Sequence, residues 1–257
     1  MFPVLFKLGD FSVPTYGILY LIAFLSAAAV FARLGRTDRL SFSKLFELGF
    51  QMAIAGELGA RLTFIIVEWD RFVSGAIGLK QFLVAGRVVL GGIVAGAAFC
   101  IWAVRRNNLP PARMLDGALT GAALGMAIGR LGCLAAGCCY GKPTDWFWGI
   151  TFTHPLAEKL NGTPLGVALH PTQIIQFGTA LALFAFLYFM HRWKRYDGQV
   201  SAVFFLFAGL LRFGNEFLRG DDRGAAAGIT TSQWIGLLMV AGAATWLVYH
   251  SLRKRNE

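Results

Sequence analysis

The chain has 257 residues, 56% of them hydrophobic, and a mean hydropathy of +0.57. A soluble core of this size does not absorb that much apolar surface, whereas a bilayer accepts it on the outside of helices. The net charge of +10 does not amount to a nucleic-acid surface, because the basic residues fall in clusters between apolar stretches and no basic patch with interleaved aromatics is left over.

A helix crosses a bilayer with roughly 20 mainly apolar residues. Stretches that meet this run approximately over 12–32, 45–67, 88–104, 114–136, 170–190, 199–218 and 231–250. They predict an all-α integral membrane protein of about seven transmembrane helices, in a single domain covering 1–257. The segment Met1–Gly17 lacks a short basic region and a small-residue cleavage site, so the first span is expected to be retained. No repeat at a fixed period and no low-complexity tract interrupts the pattern.

The basic clusters follow every second span. Arg33, Arg36, Arg39 and Lys44 come after the first, and Arg105, Arg106 and Arg113 after the third. Arg192, Lys194 and Arg195 come after the fifth, and Arg253, Lys254 and Arg255 after the seventh. The positive-inside rule then places the N-terminus outside and the C-terminus in the cytoplasm.

Ionisable residues inside spans demand a reason, since a charge at the helix centre costs ~3 kcal/mol even on insertion scales. Glu57 and Arg61 are four apart in the second span and share a helix face, as a self-neutralising pair or as part of a polar cavity. Arg212 and Glu216 repeat the spacing in the sixth span, with Asn215 between them and Arg219 one turn further on. Arg130, in Gly129-Arg130-Leu131-Gly132, has no acid within four residues. Its partner is a group on another helix, the outer headgroups or a ligand, and a guanidinium suits a phosphate through two parallel hydrogen bonds.

After Arg130 the chain reads Cys133-Leu134-Ala135-Ala136-Gly137-Cys138-Cys139-Tyr140-Gly141-Lys142-Pro143-Thr144. Three of the four cysteines lie within seven residues beside several glycines, which marks a helix breaking into a shaped loop at the outer surface. Cys100 reads as a small core residue, and His191 and His250 as interfacial. His170 opens the fifth span in His170-Pro171-Thr172-Gln173, placed to face the same outer cavity, while His154 lies in the outer loop. Gly91 and Gly92 open the third span and permit close approach of a helix or a ligand.

In this order the residues resemble the prolipoprotein diacylglyceryl transferase family over most of the chain. Tyr16-Gly17-Ile18-Leu19-Tyr20 is similar to the Tyr-Gly motif of the family's first span, and Arg61 to an arginine of its second. Leu90-Gly91-Gly92 falls where the family carries His-Gly-Gly. The stretch from Gly129 to Lys142 resembles the signature Gly-Arg-[Leu/Ile]-Gly-Asn followed by a further Gly and Glu. His170-Pro171-Thr172-Gln173 is similar to His-Pro-Ser-Gln, and Arg212 through Arg219 to Arg-x-x-x-Glu-x-x-x-Arg.

The resemblance implies a multi-pass enzyme of the bacterial inner membrane. It would move the diacylglyceryl group of phosphatidylglycerol to the cysteine thiol of a lipoprotein precursor, or to another thiol acceptor, as glycerol phosphate leaves. It implies no cofactor. Arg130, Arg212, Glu216, Cys138, Cys139 and His170 become the candidate catalytic residues, and Tyr16, Arg61, Gly91, Gly92 and Arg219 the substrate-binding ones. The departures fall on the acceptor side. The family's His is Leu90, its signature Asn residues are Cys133 and Ala136, and its Glu is Cys138. A Tyr four residues before the sixth-span Arg is Ala208. Cys138 or Cys139 then stands in as base or transient nucleophile.

Two other functions compete. Cys133, Cys138 and Cys139 suit a membrane thiol–disulfide oxidoreductase facing an oxidising exterior. A metal site of the three cysteines with His154 or His170 has no recognised zinc spacing, and vicinal ligands crowd a tetrahedral centre, so no metal is expected. No paired broken helices in symmetric halves point to a transporter.

Overall fold

The computed structural model describes residues 2–8, 11–36, 40–75, 88–221, 225–226 and 228–256. The predicted basic residue Arg39 lies outside them. The long helices are α1 (Thr15–Leu34), α2 (Phe42–Val67), α4 (Val89–Arg106), α5 (Pro111–Ala136), α7 (Thr172–Met190), α8 (Gln199–Glu216) and α9 (Thr231–Asn256). Each occupies one of the apolar stretches expected from sequence, with ends displaced by a few residues. Short helices α3 (Trp69–Val73) and α6 (Pro155–Asn161) follow α2 and precede α7.

Local chemistry sets these boundaries. Ser41 caps α2 by accepting the Lys44 amide at 3.3 Å, and Pro111 starts α5 where its missing N–H is no loss. His154 caps α6, its Nδ1 accepting the Leu156 amide at 3.2 Å, and Gly162 ends that helix in the left-handed region. The strands are short antiparallel pairs. β1 (Val4–Leu8) pairs with β2 (Phe11–Pro14), β3 (Ile150–Thr151) with β4 (Ala168–Leu169), and β5 (Ala225–Ala226) with β6 (Ile229–Thr230).

Among the described residues, five helices are long and apolar enough to cross a membrane: Thr15–Leu34, Phe42–Val67, Pro111–Ala136, Thr172–Met190 and Thr231–Leu252. Their exteriors fit lipid. On α2, Ile54, Leu58, Leu62 and Ile66 recur every fourth residue, all exposed, so one face presents a continuous apolar stripe that water would penalise. The protein is a mostly helical, multi-pass membrane protein.

The chain divides into two compact units, 28–118 and 1–27 with 119–257. In the first, Phe31, Leu45, Leu48, Val104, Leu109 and Met114 form the core, with Cys100 packed against it. Here α2 and α4 touch backbone to backbone. A Cβ on Gly92 would lie 3.0 Å from the Gly56 carbonyl oxygen, and one on Gly91 would collide with Thr63. Gly91 and Gly92 are therefore spent on helix packing. Glu57 and Arg61 pair on α2 at 2.7 Å.

In the second unit the core gathers Ala123, Leu183, Leu187, Val200, Phe204 and Ala208. Tyr16 packs on α5, its ring 3.1 Å from where a Gly132 Cβ would be, and stacks on Tyr20 with centroids 5.8 Å apart. The His191 Nε2 lies 3.0 Å from the hydroxyl of buried Thr120. His250 stacks on Tyr196 at 4.4 Å.

Candidate functional site

The site is built within the second unit where α5 ends. After Ala136 the chain leaves the helix with Gly137 at φ +79°, and Cys139 also takes a left-handed conformation at φ +61°. That region is costly for any residue with a Cβ, by about 1–2 kcal/mol. External hydrogen bonds hold the loop there. Four consecutive carbonyl oxygens each accept from a side chain further along the chain. Asn161 Nδ2 donates to Ala136 at 2.9 Å, Thr163 Oγ1 to Gly137 at 2.7 Å, Gln173 Nε2 to Cys138 at 2.9 Å and Thr172 Oγ1 to Cys139 at 2.7 Å. Thr163, Thr172 and Gln173 are buried, so these bonds are shielded from competing water.

The next residues are held by backbone. His170 donates its amide to Lys142 at 2.9 Å, Lys142 to Leu218 at 2.9 Å and Gly220 to Tyr140 at 3.1 Å. Gly141 bridges to Arg219 and Pro143 to Leu169. A Cβ on Gly141 would fall 2.6 Å from that of His170, so only glycine allows the approach. The start of α7 and the end of α8 are thereby fastened to one loop. His170, half-buried, meets it through its backbone.

The thiols converge. The sulfurs of Cys133, Cys138 and Cys139 all lie within 4.8 Å of one another, each half-buried, and Cys138 Sγ is 3.8 Å from the Cys133 carbonyl oxygen. No His, Asp or Glu joins the group among the described residues, so neither His154 nor His170 is part of it. Arg219 is buried and gripped by Asp221 in a two-pronged bond, Nε to Oδ1 at 2.8 Å and a terminal nitrogen to Oδ2 at 2.7 Å. It also hydrogen-bonds Cys139. Hydrogen bonds from Cys133 and Cys138, with the Arg219 guanidinium alongside, hold the Cys139 thiol below its usual range. The contacts with Cys133 and Cys139 push Cys138 up.

Arg130, one turn before Cys133 on α5 and half-buried, is within electrostatic reach of that thiol. Arg212 and Glu216 stand one turn apart on α8, Arg212 exposed and Glu216 half-buried. Two buried oxygens have no hydrogen-bond partner among the described residues, Gln176 Oε1 on α7 and Asn215 Oδ1 on α8. Tyr16 belongs to the same unit as these residues, and Arg61, Gly91 and Gly92 belong to the other.

Sequence reasoning missed Asn161, Thr163, Thr172, Gln173 and Asp221. Thr172 and Gln173 stood in a motif already singled out, but attention fell on its His. Two polar residues opening an apolar span were the signal.

The family model for prolipoprotein diacylglyceryl transferase matches residues 3–249. The chain belongs to this family. Among relatives, the phosphatidylglycerol–prolipoprotein diacylglyceryl transferase of Clostridium tetani (strain Massachusetts / E88) is 33% identical over 241 residues, 93% of this chain and 94% of that protein. Transferase 2 of Clostridium perfringens (strain 13 / Type A) is 30% identical, covering 99% and 97%. The transferase of Bordetella bronchiseptica is 29% identical, covering 95% and 94%. Leu90 is 68% exposed, and the thiol cluster lies at the end of α5 and in the loop that follows it.

Proposed function

We propose that this protein transfers the diacylglyceryl group of phosphatidylglycerol to a thiol acceptor, such as the cysteine of a lipoprotein precursor. The observation that carries this reading is the likeness over nearly the whole chain to transferases so named. The same likeness favours transfer over thiol–disulfide exchange. Seven spans, the five helices most suited to crossing a membrane together with α4 and α8, would run from an outer N-terminus to a cytoplasmic C-terminus in the bacterial inner membrane, as one domain.

Phosphate departure needs fixed positive charge that strengthens as the leaving group gains its electrons. Arg130 and Arg212 supply it, with Glu216 orienting Arg212. Tyr16 hydrogen-bonds the headgroup from α1. The oxygens of Gln176 and Asn215, unpartnered among the described residues, are acceptors, and the two hydroxyls of the phosphatidylglycerol headgroup are donors of the right kind. Arg219 braces the thiol loop, and the thiols take the acceptor side. His170 sets the register between that loop and α7.

The test supplies phosphatidylglycerol labelled in its acyl chains to the purified protein with a lipobox peptide. Label on the peptide cysteine is expected. Glycerol phosphate release with an unmodified peptide would keep the lipid chemistry and discard the acceptor. Neither product would end the reading.

A further inference from the structure

Transfer chemistry calls for one thiolate at the acceptor side, yet three cysteines meet there. Their sulfurs lie within 4.8 Å of one another. Tetrahedral zinc with Zn–S bonds of about 2.3 Å holds its sulfurs about 3.8 Å apart, so side-chain adjustments of an ångström or less complete the set. The crowding expected of vicinal ligands is relieved by the backbone. Cys139 sits at φ +61°, and the carbonyls of both vicinal residues are held by Thr172 and Gln173, which fixes the loop that presents the sulfurs. Among the described residues no fourth ligand joins the group. Three protein ligands with an open position are the mark of a reactive zinc site rather than a structural one.

We propose that Cys133, Cys138 and Cys139 hold one divalent thiophilic ion of the zinc class, whose fourth position receives the sulfur of the acceptor. The acceptor's identity rests on the transferase reading; the metal site stands on the thiol geometry alone. On coordination the acceptor thiol gives its proton to solvent and is held as thiolate. Its sulfur then forms a bond to the glyceryl carbon as the bond from that carbon to the phosphate oxygen breaks. Glycerol phosphate leaves with the electron pair, and nothing is oxidised or reduced. The site thus supplies the deprotonated acceptor.

The full chain, purified in detergent and stripped with a chelator, is titrated with Zn(II), and then with Co(II) as a coloured substitute. About one ion per chain is expected, with intense sulfur-to-cobalt absorption. That absorption should grow with a lipobox peptide and not with its Cys→Ser counterpart. Cys133→Ser, Cys138→Ser and Cys139→Ser each lose the ion, while Cys100→Ser keeps it. Because a variant can misfold, zinc protection of the three thiols from alkylation is also measured in the unaltered chain. No stoichiometric ion, or cobalt without thiolate absorption, overturns the site. A cobalt spectrum indifferent to the peptide thiol overturns the open position. If the zinc-loaded protein takes up the peptide thiol yet no label leaves phosphatidylglycerol, the transferase reading falls and the metal site stands. Full transfer by metal-stripped protein keeps the transferase and overturns the role of the ion.

Discussion

Thr172→Val tests whether the thiol loop is held from outside. The substitution keeps the shape of the side chain and removes the hydroxyl that donates to the Cys139 carbonyl at 2.7 Å. Thr172 is fully buried, so no water replaces the donor, and a buried carbonyl left bare costs about 1–3 kcal/mol. The bond also offsets the cost of the left-handed backbone at Cys139, itself about 1–2 kcal/mol. Taking about 2 kcal/mol for the loss, the loop opens roughly 30-fold more often, at about 1.4 kcal/mol per tenfold. Alkylation of the peptide containing Cys138 and Cys139, followed by mass spectrometry, should accelerate by that factor. Thr179→Val is the control, since its hydroxyl bonds within its own helix, to the Ile175 and Gln176 carbonyls, and its effect should stay within about 0.5 kcal/mol. Equal alkylation rates in Thr172→Val and the unaltered protein would refute the clamp.

Further outcomes follow from other contacts. Gly91→Ala drives a methyl into Thr63 and toward the Gly59 carbonyl at 2.7 Å; it should cost at least about 1–3 kcal/mol, read as a lower unfolding midpoint in detergent. Arg130→Lys keeps the charge and loses the two-pronged donor, so peptide labelling should fall about 10²–10³-fold. Asp221→Asn weakens the grip on Arg219, whose side chain is 4% exposed, and should cost about 1–3 kcal/mol in denaturant unfolding. Asn215→Leu fills the place of an unpartnered oxygen; it should leave unfolding nearly unchanged while raising the phosphatidylglycerol concentration needed for half-maximal rate.

The helices were legible because lipid-facing helices are written as long apolar runs, and a run such as 172–190 leaves little freedom in where it starts. Glu57 and Arg61 were legible because contacts four residues apart depend on helix geometry alone. The thiol cluster was legible as composition but not as shape. Its convergence depends on donors 25 to 35 residues away in sequence, from Asn161 to Gln173, and no local period encodes such a pairing. Gly91 and Gly92 show the opposite difficulty. Their smallness was plain, but whether it served a ligand or the neighbouring helix depended on what faced them, and the structure puts Gly56 and Gly59 there.

The four carbonyl clamps have a consequence for how the chain is made. Ala136 through Cys139 leave the ribosome well before Asn161, Thr163, Thr172 and Gln173, so during synthesis the loop exists for a time without its fasteners. Its curvature is completed only when the first turn of α7 has been delivered to the membrane. A nascent chain arrested before Thr172 should therefore present open, readily alkylated cysteines, and extension by a few residues past Gln173 should close them, giving membrane insertion a chemical timestamp.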